Sequence, residues 1–246
     1  FQYELLRQGH PRFTLTWIKA KYYENATLGW FFDRCNNLPL PSRGYLILKD
    51  AVDVLGRKLT NEEYRMLRDL VDHKVEPESC LEESKSVLKL FTQGRSDFEP
   101  EREHYRDFMN RRSDRLMRLV EERSLEALGE KQNNIIVFPQ GTRSVRLLPA
   151  RTGMLEFAFR HRIPIVPVGS NGSETIYPGG SPWAQGGRIV YRVGKPLSVA
   201  DAFSNCIIDE PYRPFTREAE AHVDVFERGA SILTSAINDL LDEPYQ

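Results

Sequence analysis

Thr142, Arg143 and Ser144 place a hydroxyl, a guanidinium and a second hydroxyl on three successive residues. A guanidinium is a planar fork that stays charged, and its geometry matches the oxygens of a phosphate or carboxylate. The chemistry offered is therefore anion binding. Just before it, Ile135 to Phe138 are four apolar, partly β-branched residues that predict a short buried strand. Pro139 ends that strand for lack of an N–H, and Gly141 permits a tight turn with close backbone approach. Gln140 stands between them. A second guanidinium, Arg43, closes the stretch Asn37 to Gly44, which reads as a strand end and turn. In open α/β sheets ligands bind outside the carboxyl ends of the strands. Arg43 and Arg143 each follow a predicted strand, so both are expected to face one anion from neighbouring strand ends. The competing reading is a Pro-Gly turn with a solvated arginine, and three further segments argue against it.

The elements that must hold these residues alternate between strand and helix with short connections, which gives an α/β fold with a layered mixed sheet flanked by helices. Phe13, Leu15 and Trp17 alternate with Thr14 and Thr16 in a strand with two faces. Leu28 to Phe32 form an aromatic block, read as a short helix packed on the core, with a membrane-contacting patch of Trp30, Phe31 and Phe32 as the alternative to buried packing. Helical spacing resumes from Leu46 to Gly56. Residues 60 to 129 are helical throughout, with capping boxes at Thr60/Glu63 and Ser79/Glu82. Tyr64, Leu67, Val71 and Val75, then Leu81, Leu88 and Phe91, then Tyr105, Phe108, Met109, Leu116, Leu119 and Val120 are the expected buried sides. Residues from about 57 to 130 read as an all-helical insertion in a single domain spanning 1–246. Beyond Ser144 come a helix over 151–162, a proline-interrupted strand over 163–168, a loop bracketed by Gly179-Gly180 and Gly186-Gly187, and a strand over 188–193. A final helix over 216–241 carries one apolar seam.

Composition removes several classes of function. The net charge of −1 gives no bulk field for nucleic acid. Three cysteines, Cys35, Cys80 and Cys206, lie far apart, which argues against a disulfide frame, a zinc site or any other metal site and for a reducing compartment. No run approaches the roughly 18 apolar residues of a membrane span. Membrane contact is expected to be peripheral, with a cytoplasmic location at the cytoplasmic face of the membrane.

The stretch Phe138-Pro139-Gln140-Gly141-Thr142-Arg143-Ser144 resembles the Phe-Pro-Glu-Gly-Thr-Arg-Ser motif of the glycerolipid acyltransferases, the glycerol-3-phosphate and lysophosphatidic acid acyltransferase family. Leu38 to Gly44, with Arg43, is similar to that family's second motif. Ile163 to Val168 is similar to its fourth, and Lys195-Pro196-Leu197 to a late Gly-x-Pro element. Arg151-Thr152-Gly153 sits where a basic residue and glycine precede the helix between the third and fourth motifs. The insertion would then lie between motifs two and three. The resemblance implies transfer of a fatty acyl group from acyl-CoA or acyl carrier protein to a glycerol hydroxyl, without a cofactor. It implies an acceptor site of Arg43, Gln140, Gly141, Thr142, Arg143 and Ser144, whose arginines hold the acceptor's phosphate. In the family a histidine of a His-x4-Asp motif is the general base, because an alcohol is a weak nucleophile until its proton is taken.

Two departures stand out. The residues five places beyond the histidines are Leu15, Glu78, Met109, Val166 and Glu227, so no His-x4-Asp is present. His73 with Glu78 lies in the wrong order, and His104 with Asp107 reads as a surface pair on one helix face. The expectation is that the motif lies upstream of Phe1, where the chain opens inside a helix ending at Gly9, and that these 246 residues are an inactive fragment. The alternative is a non-catalytic lipid- or phosphate-binding relative whose helical insertion binds a partner. A phosphate-handling hydrolase is disfavoured by the lack of a nucleophile elbow, P-loop or metal ligands. The second departure is Gln140, where the family has glutamate. Glutamine keeps an acceptor oxygen and loses the charge.

Overall fold

Leu15 and Trp17 are the buried residues of strand β1 (Thr14–Lys19), as strict alternation requires. In the computed structural model, which describes residues 6–9, 12–76, 85–142, 144–176 and 183–245, the fold is mixed α/β. Two compact units are present, Thr14–Ile135 and Ile136–Gln246 together with Phe1–Phe13. The N-terminal helix read from Phe1, the Ser79/Glu82 capping box with Leu81, and Gly179-Gly180 fall wholly or mainly outside the described residues.

In the Thr14–Ile135 unit β1 is the middle strand of three, between β2 (Asn37–Leu40) and β3 (Asn134–Ile136). It runs parallel to β2, with Trp17 opposite Leu38 and Ile18 opposite Pro39. Proline is tolerated in β2 because that strand is an edge. Phe13 precedes the strand and is exposed rather than buried. Helix α1 (Ala26–Arg34) is capped by Asn25, whose side chain accepts from the N–H groups of Thr27 and Leu28. Its aromatic block is not core. Leu28, Trp30 and Phe31 are exposed, while Gly29 is the buried position. A Cβ on Gly29 would stand 3.3 Å from the Tyr23 ring, so the helix meets its neighbour at a residue without a side chain, with Phe32 half-buried against Tyr22 and Tyr23 and the other large residues facing outward.

Helix α2 (Arg43–Leu55) starts three residues before the expected Leu46. Ser42 accepts from the Tyr45 N–H as N-cap, and Gly56, at φ +68°, ends the helix in the left-handed region. Helix α3 (Asn61–Val71) has the expected capping box, with Thr60 and Glu63 satisfying each other's backbone donors. Helix α4 (Leu88–Thr92) buries Leu90 and packs Phe91 on the core as expected, while Leu88, expected inside, is exposed. Helix α5 (Tyr105–Gly129) buries Tyr105, Phe108, Met109 and Val120 as expected, and Leu119 is exposed. Its buried line continues through Ser113, Met117, Ser124 and Ala127. Two serines in that line hide its true phase from an apolar pattern. Ser124 is buried because its Oγ accepts from Trp17 Nε1 at 3.1 Å.

The core of this unit joins Leu46, Ile47 and Ala51 of α2 to Leu67, Leu70 and Val71 of α3 and to Phe98, Phe108 and Met109. An ion pair sits inside it. Arg95 grips Asp50 bidentately, Nε–Oδ1 at 3.0 Å and Nη2–Oδ2 at 2.7 Å, with the Asp50 side chain 2% exposed. The guanidinium lies 4.6 Å from the Phe98 ring centroid and 5.3 Å from that of Phe108. The aromatic faces attract the cation that the carboxylate neutralises.

In the other unit, α6 (Gly153–Arg160) buries Leu155, Phe157, Ala158 and Phe159. The strand read over Ile163–Val168 is displaced to β4 (Val168–Asn171), which pairs antiparallel with β5 (Val190–Val193). Pro164 and Pro167 have no N–H for a ladder, and Ile165 makes a single bridge with Leu197. Helix α7 (Ser173–Ile176) follows β4. The final helix is two, α8 (Arg217–Glu220) and α9 (Val223–Asn238). Phe226, Ala230, Leu233 and Ile237 keep the expected seam, while Val223, next to the break, is exposed. Gly229 lets α9 press on α6, since a Cβ there would stand 2.7 Å from Phe159 Cζ.

Removing Asp50 strands a desolvated guanidinium. Asp50→Ala is therefore expected to lower the unfolding free energy by about 3–5 kcal/mol in urea titration, and a loss under about 1 kcal/mol would contradict this account of the pair. Glu63 offers a pH test. Hydrogen bonds from Arg57 first, then Ser86 and the Thr60 backbone, bring its carboxyl from 4.5 to about 2 against the opposing effect of burial. A lowered folded-state value means the contribution is present above the ordinary carboxyl range and is lost on acidification. The stability difference between wild type and Glu63→Gln should therefore narrow as pH falls below about 5, and a difference constant from pH 7 to 3 would refute it.

Candidate functional site

The strand before the motif is shorter than its apolar residues suggest. β3 stops at Ile136, and Phe138 is 67% exposed, because the turn that follows has already lifted it out of the sheet. The Gly141 N–H donates to the Phe138 carbonyl at 3.1 Å, closing a four-residue turn with Pro139 at its second position. Gly141 has φ +67°, the left-handed region that glycine occupies without a Cβ penalty. The Arg151 N–H donates to the Pro139 carbonyl at 2.9 Å, so the loop from 139 to 151 returns to its own start. That return lays the Arg151 side chain against the turn. A Cβ on Gly141 would stand 3.3 Å from Arg151 Nε and 3.5 Å from its Cδ.

Around this turn Thr142 and Ser144 are exposed, and Arg143 lies outside the described residues. Gln140 is half-buried, and its Nε2 is buried with no acceptor among the described residues. From Gln140 to Arg151 the chain carries Arg143, Arg146 and Arg151 and no Asp or Glu. Arg146 and Arg151 are exposed and form no ion pair among the described residues. The sequence reading placed Arg151-Thr152-Gly153 ahead of the helix without including Arg151 among the acceptor residues, and the loop closure is what brings it against Gly141. The signal available was the run of arginines without a counter-charge.

The loop is tied from behind. The Ala150 N–H donates to Thr234 Oγ1 at 3.0 Å, and that hydroxyl donates to the Ala230 carbonyl at 2.7 Å. The Leu147 N–H donates to the Tyr245 carbonyl at 2.8 Å. Where the loop enters α6, Thr152 donates to Glu156 Oε1 at 3.3 Å, and Glu156 Oε2 accepts from the Phe215 N–H at 2.7 Å.

Arg43 belongs to the Thr14–Ile135 unit, at the first position of α2 rather than in a turn. Its Nη1 stands 3.7 Å from Asp72 Oδ1, with both side chains 16% exposed. Asp72 Oδ2 accepts from Arg68 Nε at 2.6 Å. The α2–α3 crossing at this point depends on Gly44, where a Cβ would collide with the Tyr64 hydroxyl and stand 3.0 Å from Arg68 Nη1. The carboxylate of Asp72 thus already faces the arginine that the sequence assigned to an anion.

His104 is the residue before α5, its carbonyl accepting from the Asp107 and Phe108 N–H groups, so His104 and Asp107 do not share a helix face as read. His73, at φ +57°, meets Asn110 Nδ2 at 3.3 Å, and Glu78 lies outside the described residues. Among the described residues no group of three or more His, Cys, Asp or Glu is placed to hold a metal.

Residues 104–171 match the family model described as Acyltransferase. This chain carries an acyltransferase-family segment. The segment opens at His104, ahead of α5, runs through β3, the Gly141 turn and α6, and ends on the last residue of β4. It therefore takes in a helix that the sequence reading assigned to the insertion. Neither the curated proteins nor the solved structures give a match. In general terms the segment supports an acyltransferase function. Within the acyltransferase segment, Gly141→Ala adds a Cβ where φ is positive and pushes on Arg151. It is expected to cost about 1–2 kcal/mol in denaturant unfolding, and a substitution neutral in stability would contradict the turn geometry.

Proposed function

We propose that the acyltransferase segment serves transfer of a fatty acyl group from acyl-CoA or acyl carrier protein to a hydroxyl of a glycerophosphate or lysophospholipid. The observation that carries this reading is the acid-free loop from Gln140 to Arg151, folded around Gly141 with three arginines and two exposed hydroxyls. An anionic acceptor neutralises a loop that carries no acid of its own, and Arg143 and the Thr142 and Ser144 hydroxyls are assigned to its phosphate. Holding the phosphate places the acceptor hydroxyl at the thioester. In the transfer a base takes the hydroxyl proton, the oxygen bonds to the thioester carbon, the C–S bond breaks and the thiol leaves with a proton. His-x4-Asp is not among these residues. These residues are assigned to acceptor binding, and no general base for the transfer is assigned among them.

The test is binding. sn-Glycerol 3-phosphate titrated into the 246-residue chain in a calorimeter should bind, glycerol should not compete, and Arg143→Gln should weaken binding about tenfold, near 1.4 kcal/mol. Release of thiol from acyl-CoA should stay at background. Equal affinity for glycerol and its phosphate would overturn the acceptor assignment, and thiol release above background would overturn the inactivity of these residues.

A peripheral contact with the cytoplasmic face of a membrane is part of the same reading, since the acceptors are lipids or their precursors. Among the described residues no helix is long and apolar enough to cross a membrane. Supporting surface contact, Tyr22, Leu28, Trp30 and Phe31 are exposed beside Lys21 and Arg34, and the Arg34 guanidinium covers the Trp30 ring at 4.6 Å. Aromatic and basic residues together suit the headgroup region. Trp30→Ala with Phe31→Ala should reduce co-sedimentation with phosphatidylglycerol-containing vesicles several-fold, and unchanged sedimentation would remove α1 from the contact.

A further inference from the structure

We propose that Arg151 is a second phosphate-binding arginine of the acceptor site, and that Thr234, on α9, is the residue that positions it. This deepens the function proposed above and rests on it. Four observations carry the inference. The Arg151 side chain lies in contact distance of Gly141, at the centre of the motif turn. It is exposed and has no ion pair among the described residues, unlike Arg95 and Arg43, which face Asp50 and Asp72. Its backbone is fixed by the bond from its own N–H to Pro139, and the preceding residue by the bond from Ala150 to Thr234 Oγ1. The Thr234 hydroxyl is itself oriented, since its proton goes to the Ala230 carbonyl and a lone pair is left facing Ala150.

The consequence is preorganisation. An arginine on a loose loop loses backbone freedom when it closes on an anion, and that loss subtracts from affinity. Here the loop is closed before any ligand arrives. A planar fork offers two parallel N–H groups to phosphate oxygens, which a lysine ammonium does not reproduce. Gly141 is where Arg151 meets the motif turn. Lacking a Cβ, it admits the Arg151 side chain to the same turn that Arg143 follows two residues later in the chain.

The experiment measures the affinity of the 246-residue chain for sn-glycerol 3-phosphate and for inorganic phosphate, by calorimetry at two salt concentrations, in wild type, Arg143→Gln, Arg151→Gln, Arg151→Lys, Thr234→Val and Thr234→Ser. Thermal midpoints confirm that each variant is folded. Arg151→Gln should weaken both probes by about fivefold to tenfold and flatten the salt dependence, with Arg151→Lys between it and wild type. Thr234→Val should weaken them severalfold, and Thr234→Ser, which keeps the acceptor oxygen, should bind as wild type. If Arg143→Gln abolishes binding while Arg151→Gln stays within twofold of wild type, the inference falls and the proposed acceptor site stands. If wild type binds neither probe, the acceptor site falls and Arg151 with it. If Thr234→Val is folded and binds normally, Thr234 has no positioning role. If it does not fold, the Arg151 variants still decide whether that residue binds phosphate.

Discussion

A left-handed backbone at Gly141 is the constraint on which the acyltransferase segment depends. It lets the chain reverse within four residues of β3, it leaves no Cβ between the turn and Arg151, and it places exposed hydroxyls directly after the reversal. Any other residue meets two penalties at once, one from its own φ and one from the side chain beside it. The loop from 139 to 151 has no regular structure of its own. Its shape comes from one bond back to Pro139 and from two bonds to the C-terminal part of the chain, at Thr234 and Tyr245. The loop is thus shaped by a turn, a closure onto its own start and a helix distant in sequence.

Arginines in this chain are sorted by what neutralises them. Arg95 is nearly enclosed, with a bidentate carboxylate and three aromatic rings, and it holds the helical core of its unit together. Arg43 and Arg68 flank Asp72 at the α2–α3 crossing, where Gly44 allows the helices to meet. Arg146 and Arg151 stand in a stretch without acids. A charge with its partner supplied is a structural element, and a charge held in place without one is suited to a ligand.

What the sequence made legible was local. The Thr60/Glu63 box, the alternation that buries Leu15 and Trp17, and the turn at Gly141 each follow from residues within a few places of one another. The α/β class followed from the same patterns. What escaped depends on partners far along the chain. Ser124 is inside α5 only because Trp17 reaches it, and without that contact the phase of the helix cannot be read, which is why Leu119 was placed inside. Trp30 and Phe31 of α1 turn outward because Gly29 is the position that meets Tyr23. The apolar run at Ile163–Val168 has strand composition, but its prolines defer the ladder to Val168–Asn171. Of the candidate site, residues 140–144 were readable as one motif, whereas the loop closure that brings Arg151 against Gly141 has no signature in spacing.

The claim that this turn receives an anion is tested most directly by two-dimensional 15N NMR of the 246-residue chain titrated with sn-glycerol 3-phosphate. The account predicts saturable shifts concentrated in the Gly141 and Thr142 amides and in the Arg151 backbone and Nε resonances, with glycerol producing none. Shifts that are absent from the 140–151 loop, or that glycerol reproduces, would contradict it.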